Sequence, residues 1–260
     1  MQGARHFLLA LQFFTRVPIT GRLAQWVGFS PAMLRASAAH FPGVGWLVGA
    51  FGTLVFLLAA QGVPPLAAAL LSTVATVLLT GAFHEDGLAD VADGLGGSAD
   101  RTRALEIMKD SRIGAFGAIA LVLALGLKVA LLAAIAGQGV WAVVVALLAG
   151  HVLSRLAPLF LIRSLPYVGD SGASKSKPLA DAIGNGALAV GVLWSVPAAA
   201  ALFVGHDALR AAAALAACAL AALWMARWFR HRLQGFTGDG LGATQQVCEL
   251  AIYLALAWRA

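Results

Sequence analysis

Seven apolar stretches dominate the sequence, at residues 43–60, 66–83, 114–136, 141–162, 182–204, 208–229 and 243–258. A helix needs about 20 residues to cross the hydrocarbon core of a bilayer. Inside that core each backbone amide must find its partner within the protein, so such runs fold as helices. Their number and length predict an all-α, polytopic membrane bundle of about seven transmembrane helices, in one domain over residues 1–260. Composition agrees, with 60% hydrophobic and 12% charged residues, where soluble proteins carry about 25% charged. The seventh stretch is the weakest, because Gln245, Gln246 and Glu249 make its first half polar.

Lys and Arg fix orientation in a membrane. Arg5, Arg16, Arg22 and Arg35 precede the first stretch, and Arg101, Arg103, Lys109 and Arg112 follow the second. Arg163, Lys175 and Lys177 follow the fourth, and Arg227, Arg230 and Arg232 close the sixth. The short connections 61–65, 137–140 and 205–207 hold no Lys or Arg. The N-terminus and the long loops are therefore expected in the cytoplasm, with the protein in the inner membrane. A net charge of +6 reads as anchoring beside lipid, and nucleic acid is not expected as a partner. A homo-oligomer is compatible with such a bundle. Two cysteines give no metal or disulfide framework. No cleavage site follows the first apolar residues, so insertion without a removed leader is expected. Residues 5–16 suit an amphipathic helix, lying either in the interface or against the bundle.

Seven of the twelve acidic residues fall between Glu85 and Asp110, five of them in 84–100 without any Lys or Arg. Unneutralised carboxylates repel one another and so invite a cation. Hard oxygen ligands favour Mg²⁺, which takes one or two carboxylates together with substrate phosphates. Asp86, Asp90 and Asp93 stand at i, i+4 and i+7, one face of a helix. If the second stretch continues as helix beyond Phe83, these three line up just outside the membrane and form the candidate metal site. Gly87 and Gly94 would let a ligand or a neighbouring helix come close. The alternative reading is a solvated acidic helix end.

Lys109, Asp110, Ser111 and Arg112 precede the third stretch, where cations and a hydroxyl near a helix N-terminus can bind phosphate, or simply anchor the interface. Gly235–Gly242 is a glycine-rich segment carrying Thr237 and Asp239 beside Arg230, His231 and Arg232. It suits a phosphate cradle or a tight turn. Lys128, His151 and Arg155 are ionisable groups within the apolar stretches. Lys128 is expected to reach the outer interface, whereas Arg155, nearer the cytoplasmic end, is a candidate for substrate phosphate. His84 is expected to cap the acidic segment, and Gly45 with Gly49 to form a helix contact. A transporter would carry acids along a midplane path, but only Glu249 lies inside the seven stretches. These features together point to Mg²⁺-dependent transfer of a phosphate-containing group at the inner membrane face.

Longer motifs carry a resemblance. Residues 83–95 (FHEDGLADVADGL) and 105–117 (LEIMKDSRIGAFG) closely resemble the cobalamin synthase family, the adenosylcobinamide-GDP ribazoletransferases. So do 11–18 (LQFFTRVP), 41–45 (FPGVG) and 237–243 (TGDGLGA), and the similarity runs through nearly the whole chain in order. It implies an integral membrane enzyme dependent on Mg²⁺. Its α-ribazole, or α-ribazole 5′-phosphate, would attack adenosylcobinamide-GDP, releasing GMP and giving adenosylcobalamin or its 5′-phosphate. Asp86, Asp90, Asp93 and Asp110 match the family pattern, and Glu85 takes a position given less weight. Under this reading Asp86, Asp90 and Asp93 hold Mg²⁺, and Lys109, Ser111, Arg112, Arg155 and Thr237 contact substrate. Asp110 or Asp239 then orients or deprotonates the ribazole hydroxyl. The Asp-Gly-x-Ala-Asp element at residues 86–90 (DGLAD) is also similar to the CDP-alcohol phosphotransferases, which carry Arg where this chain has Asp90.

Overall fold

The computed structural model describes residues 2–169 and 183–258. Lys175, Lys177 and most of the loop 167–181 lie outside the described residues. Among the described residues the chain is helical throughout, apart from one isolated bridge between Tyr167 and Phe236. An N-terminal group comprises α1 (Gln2–Phe14), α2 (Gly21–Val27) and α3 (Pro31–Ser37), with a single 3₁₀ turn (Ala38–His40) leading into α4 (Phe41–Ala59). Then come α5 (Pro65–Thr80), α6 (Phe83–Gly97), α7 (Arg101–Ile107), α8 (Ala115–Ala136) and α9 (Val140–Ser164). The last three are α10 (Asn185–Gly205), α11 (Ala208–Arg232) and α12 (Gly238–Ala257).

Five helical segments are long and apolar enough to cross a membrane unaided: Pro31–Ala59, α8, α9, α10 and α11. α5 reaches that standard only together with α6, across a 90° bend. α12 occupies the seventh stretch as a full helix packed among α6, α8, α9 and α11, and its polar residues face protein instead of lipid. Leu54, Leu58, Leu78, Val122, Leu123, Leu193 and Leu220 are exposed on the outside of the bundle, the surface that a lipid bilayer would cover. The multi-pass membrane character expected from the apolar stretches is thus present in the fold.

The helices alternate in direction, and the two ends differ. At the end away from the long loops, the Gln138 amide donates to the Leu256 carbonyl at 2.9 Å, and Arg210 donates to Gln138 at 3.3 Å. At the loop end, Arg101 donates to the Leu233 carbonyl at 2.6 Å, and Arg232 donates to the carbonyls of Leu95 and Ser98, joining the end of α11 to the end of α6. α1 takes the second of its two expected places. It packs on the bundle through Leu9, Ala10, Leu11 and Phe14, and just beyond it the Arg16 amide donates to the Leu79 carbonyl at 2.7 Å. Gly45 and Gly49 meet the α9 backbone at His151 and Leu147, a close helix contact as their spacing predicted.

The second apolar stretch departs from expectation. It does not run on past Phe83 as one helix. Gly81 caps α5 in the left-handed region (φ +66°) and Ala82 follows it there (φ +58°), at a cost of about 1–2 kcal/mol for the alanine. Two amide bonds, Gly81 to the Leu78 carbonyl and Ala82 to that of Val77, satisfy the end of α5. α6 then starts afresh at about 90° to α5 and packs against α12 and α8.

Candidate functional site at the crossing of α6 and α12

The acidic residues of α6 are presented in graded depth: Asp86 is exposed, Asp90 half-buried and Asp93 buried. What brings them to the glycine-rich segment is a helix crossing that only glycine permits. A methyl group on Gly87 would lie 2.7 Å from the Asp239 carbonyl oxygen and 3.0 Å from its Cα. On the other side, one on Gly242 would lie 3.3 Å from the His84 Cα. Backbone therefore meets backbone, and Asp239, in the first turn of α12, comes to rest among the α6 carboxylates. Thr237 holds that turn as its N-cap, accepting the Gly240 amide at 3.1 Å.

The electrostatics record the crowding. Burial, then the charges of Asp239, Asp86 and Asp93, push the Asp90 carboxyl up to about 7. Burial and the charge of Asp86 push Asp239 up to about 6. These are acids whose surroundings lack positive charge, the condition that a bound cation relieves. Among the described residues, no three His, Cys, Asp or Glu side chains are arranged to hold a metal by themselves.

Asp93 has a different task from its neighbours on the helix face. Its Oδ2 accepts the Gly114 amide at 2.7 Å and its Oδ1 the Gly117 amide at 2.8 Å. It thus caps the start of α8 from another helix, where negative charge also complements the helix dipole. A methyl group at Gly114 or Gly117 would strike the same carboxylate. The bond ties the segment carrying Lys109, Ser111 and Arg112 to the acidic helix, with those three side chains exposed. Arg112 pairs with Asp110 through Nε at 3.0 Å and Nη2 at 2.7 Å, and these bonds hold the Asp110 carboxyl down at about 2.

Two buried cations lie elsewhere. Arg155 is inside the bundle, donating to the His151 carbonyl at 2.9 Å and lining a cavity walled by Phe13, Phe14, Phe41 and Phe83. Lys128 does not reach the outer interface. It is 2% exposed and pairs with Glu249 at 2.8 Å, since a buried carboxylate within reach outweighs snorkelling. Glu249 also accepts from Tyr253 at 2.9 Å and Gln245 at 2.8 Å. Gln246 donates to Glu85 at 2.9 Å, which links this interior network to α6. Most of these residues were named singly from the sequence, but Tyr253 was passed over and they were not joined into a network. Their signal was the spacing of Gln245, Glu249 and Tyr253 at i, i+4 and i+8, one face of a helix.

Fold and site together define a multi-pass membrane protein with a carboxylate-rich face at the end that bears its long loops. The model of the cobalamin-5-phosphate synthase family matches residues 6–257, and the chain belongs to that family, as an enzyme of cobalamin synthesis. It is 60% identical to the adenosylcobinamide-GDP ribazoletransferase of Albidiferax ferrireducens, over 98% of each chain. It is 58% identical to the protein of that name from Polaromonas naphthalenivorans, over 99% of each, and 52% identical to that of Leptothrix cholodnii, over 96% of this chain and 94% of the relative. No solved structure matches the chain.

Proposed function

We propose that this chain joins adenosylcobinamide-GDP to α-ribazole, or to α-ribazole 5′-phosphate, at the cytoplasmic face of the inner membrane. The ribazole hydroxyl forms a new bond to the phosphorus that carries the cobinamide arm, the bond from that phosphorus to the GMP oxygen breaks, and adenosylcobalamin or its 5′-phosphate results. The observation that carries this reading is the glycine crossing that sets Asp239 beside Asp86 and Asp90. The names of the relatives supply the substrates, and the cation-rich loop end supports the cytoplasmic side.

Asp86 and Asp90 would hold Mg²⁺, with Asp93 behind them as the fixed end of the face. An all-oxygen pair of carboxylates without a closed cage fits a cation that completes its shell with substrate phosphate. Bound there, Mg²⁺ would neutralise charge on the diphosphate and on the departing GMP. Lys109, Arg112 and the Ser111 hydroxyl bind phosphate oxygens from the exposed segment before α8. Asp239 takes the proton of the ribazole hydroxyl, being half-buried and held on a capped helix turn. Asp110, with both carboxylate oxygens on Arg112, serves to orient that guanidinium. Thr237 acts through the turn it caps, and Arg155 acts from the interior. The Asp90→Asn variant tests the reading. It should insert in the membrane normally and lose transfer, and near-normal turnover would overturn the carboxylate assignment.

A further inference from the structure

The neighbour of Asp86 points the other way. Glu85 is buried at 7% exposure, and its Oε1 accepts the Gln246 amide at 2.9 Å. From Gln246 the chain of bonds runs inward. Its side-chain amide also donates to Gln245 Oε1 at 3.0 Å, and the Gln245 side-chain amide in turn donates to Ser154 at 2.9 Å and to Glu249 at 2.8 Å. Glu249 closes the chain on Lys128. Four helices, α6, α8, α9 and α12, are thereby joined by side-chain bonds in a region shielded from water.

A second observation falls at the same place. Glu85 Oε2, His151 Nε2 and Arg155 Nε are buried and bond to no neighbouring group. All three residues line one cavity of about 10 Å³, close to the room that a single water molecule needs. One water there could meet a carboxylate oxygen, a guanidinium N–H and an imidazole nitrogen together, two to four polar partners being what such a water requires.

We propose that Glu85 is a positioning residue for the reaction. Held by Gln246 on one oxygen, and through a buried water by Arg155 and His151 on the other, it fixes the rotation of α6 about its axis. The geometry makes this consequential, because adjacent residues on a helix project about 100° apart. Anchoring Glu85 inward decides where Asp86 and Asp90 point outward. The glycine crossing sets how near α6 and α12 lie, and the Glu85–Gln246 bond sets how α6 is turned. This rests on the proposed function only for its kinetic arm.

The test combines exchange and kinetics on full-length protein in lipid nanodiscs. Amide hydrogen exchange is followed in the wild type, Glu85→Ala and Gln246→Leu. Exchange at least tenfold faster in α6 and the first turn of α12, with α4 and α9 unchanged, is expected. Uniformly faster exchange would mean general loosening and would overturn the proposal, as would exchange like the wild type. In the kinetic arm, kcat for GMP release should fall at least tenfold in Glu85→Ala, with KM for α-ribazole within twofold of the wild type. Exchanging the partners in the double variant Glu85→Gln/Gln246→Glu restores a donor–acceptor pair, and should recover at least half of the kcat lost in Gln246→Glu alone. Failure of that rescue would overturn the proposal. Local exchange changes in a protein whose wild type releases no GMP would instead remove the proposed function and leave the anchor standing.

Discussion

Replacing Gly87 by alanine strikes the site at its narrowest point. The added carbon would stand 2.7 Å from the Asp239 carbonyl oxygen, where ordinary contact begins at 3.4 Å. Both obstacles on that side are backbone, so no rotamer change relieves them, and α6 and α12 must part locally by the difference of about 0.7 Å. Overpacking of this kind costs about 1–3 kcal/mol. The residue displaced is Asp239 itself, and a misplacement of about 1 Å at a reacting group can cost roughly 10²-fold in rate. We expect Gly87→Ala to lose about 10- to 100-fold in kcat for GMP release while remaining folded. The assay is initial GMP release by detergent-purified protein, run beside thermal unfolding of the same samples. Gly126→Ala is the control. It lies within α8 with nothing inside 4 Å of the new carbon, so its activity should be unchanged and its stability raised by about 0.5–1 kcal/mol. A Gly87→Ala protein with wild-type rate and wild-type melting would show that the two helices do not meet as described.

Three further outcomes follow from the same contacts. Asp93→Ala leaves the Gly114 and Gly117 amides without their carboxylate and should destabilise the protein by about 2–4 kcal/mol, read as a lower denaturation midpoint; an unchanged midpoint would contradict the capping role. Lys128→Ala strands Glu249 in the bundle and should cost about 3–5 kcal/mol, whereas Lys128→Met with Glu249→Met should recover much of that loss, as thermal unfolding in detergent would report. Arg112→Ala should chiefly raise the KM for adenosylcobinamide-GDP, and a KM within twofold of the wild type would count against phosphate binding there.

The helices themselves were legible because long apolar runs leave the backbone no other way to satisfy its amides in lipid. The acidic face of α6 was legible too, from the i, i+4, i+7 spacing of Asp86, Asp90 and Asp93. The bend before it was not. It depends on two successive left-handed residues, Gly81 and Ala82, and an alanine gives no local sign of that conformation. The cap formed by Asp93 was hidden for another reason, since the amides it accepts lie 21 and 24 residues further on, and helix-face spacing says nothing of such a partner. The weakness of the seventh stretch was legible, since α12 is not among the helices apolar enough to cross unaided, but hydropathy could not say what Gln245, Gln246 and Glu249 do there. In a helix surrounded by other helices, polar residues on one face find partners, and Lys128 was misplaced for want of the same partner. The meeting of Asp239 with Asp86 and Asp90 required Gly87 and Gly242 to face each other, which no spacing within either segment announces.

The most direct measurement is GMP release from adenosylcobinamide-GDP by the purified protein, with and without α-ribazole and with and without Mg²⁺. Release is expected only when both are present, together with a cobalamin product in equal amount. Release that ignores α-ribazole or persists in chelator, or its absence from a protein shown to be folded, would contradict the account.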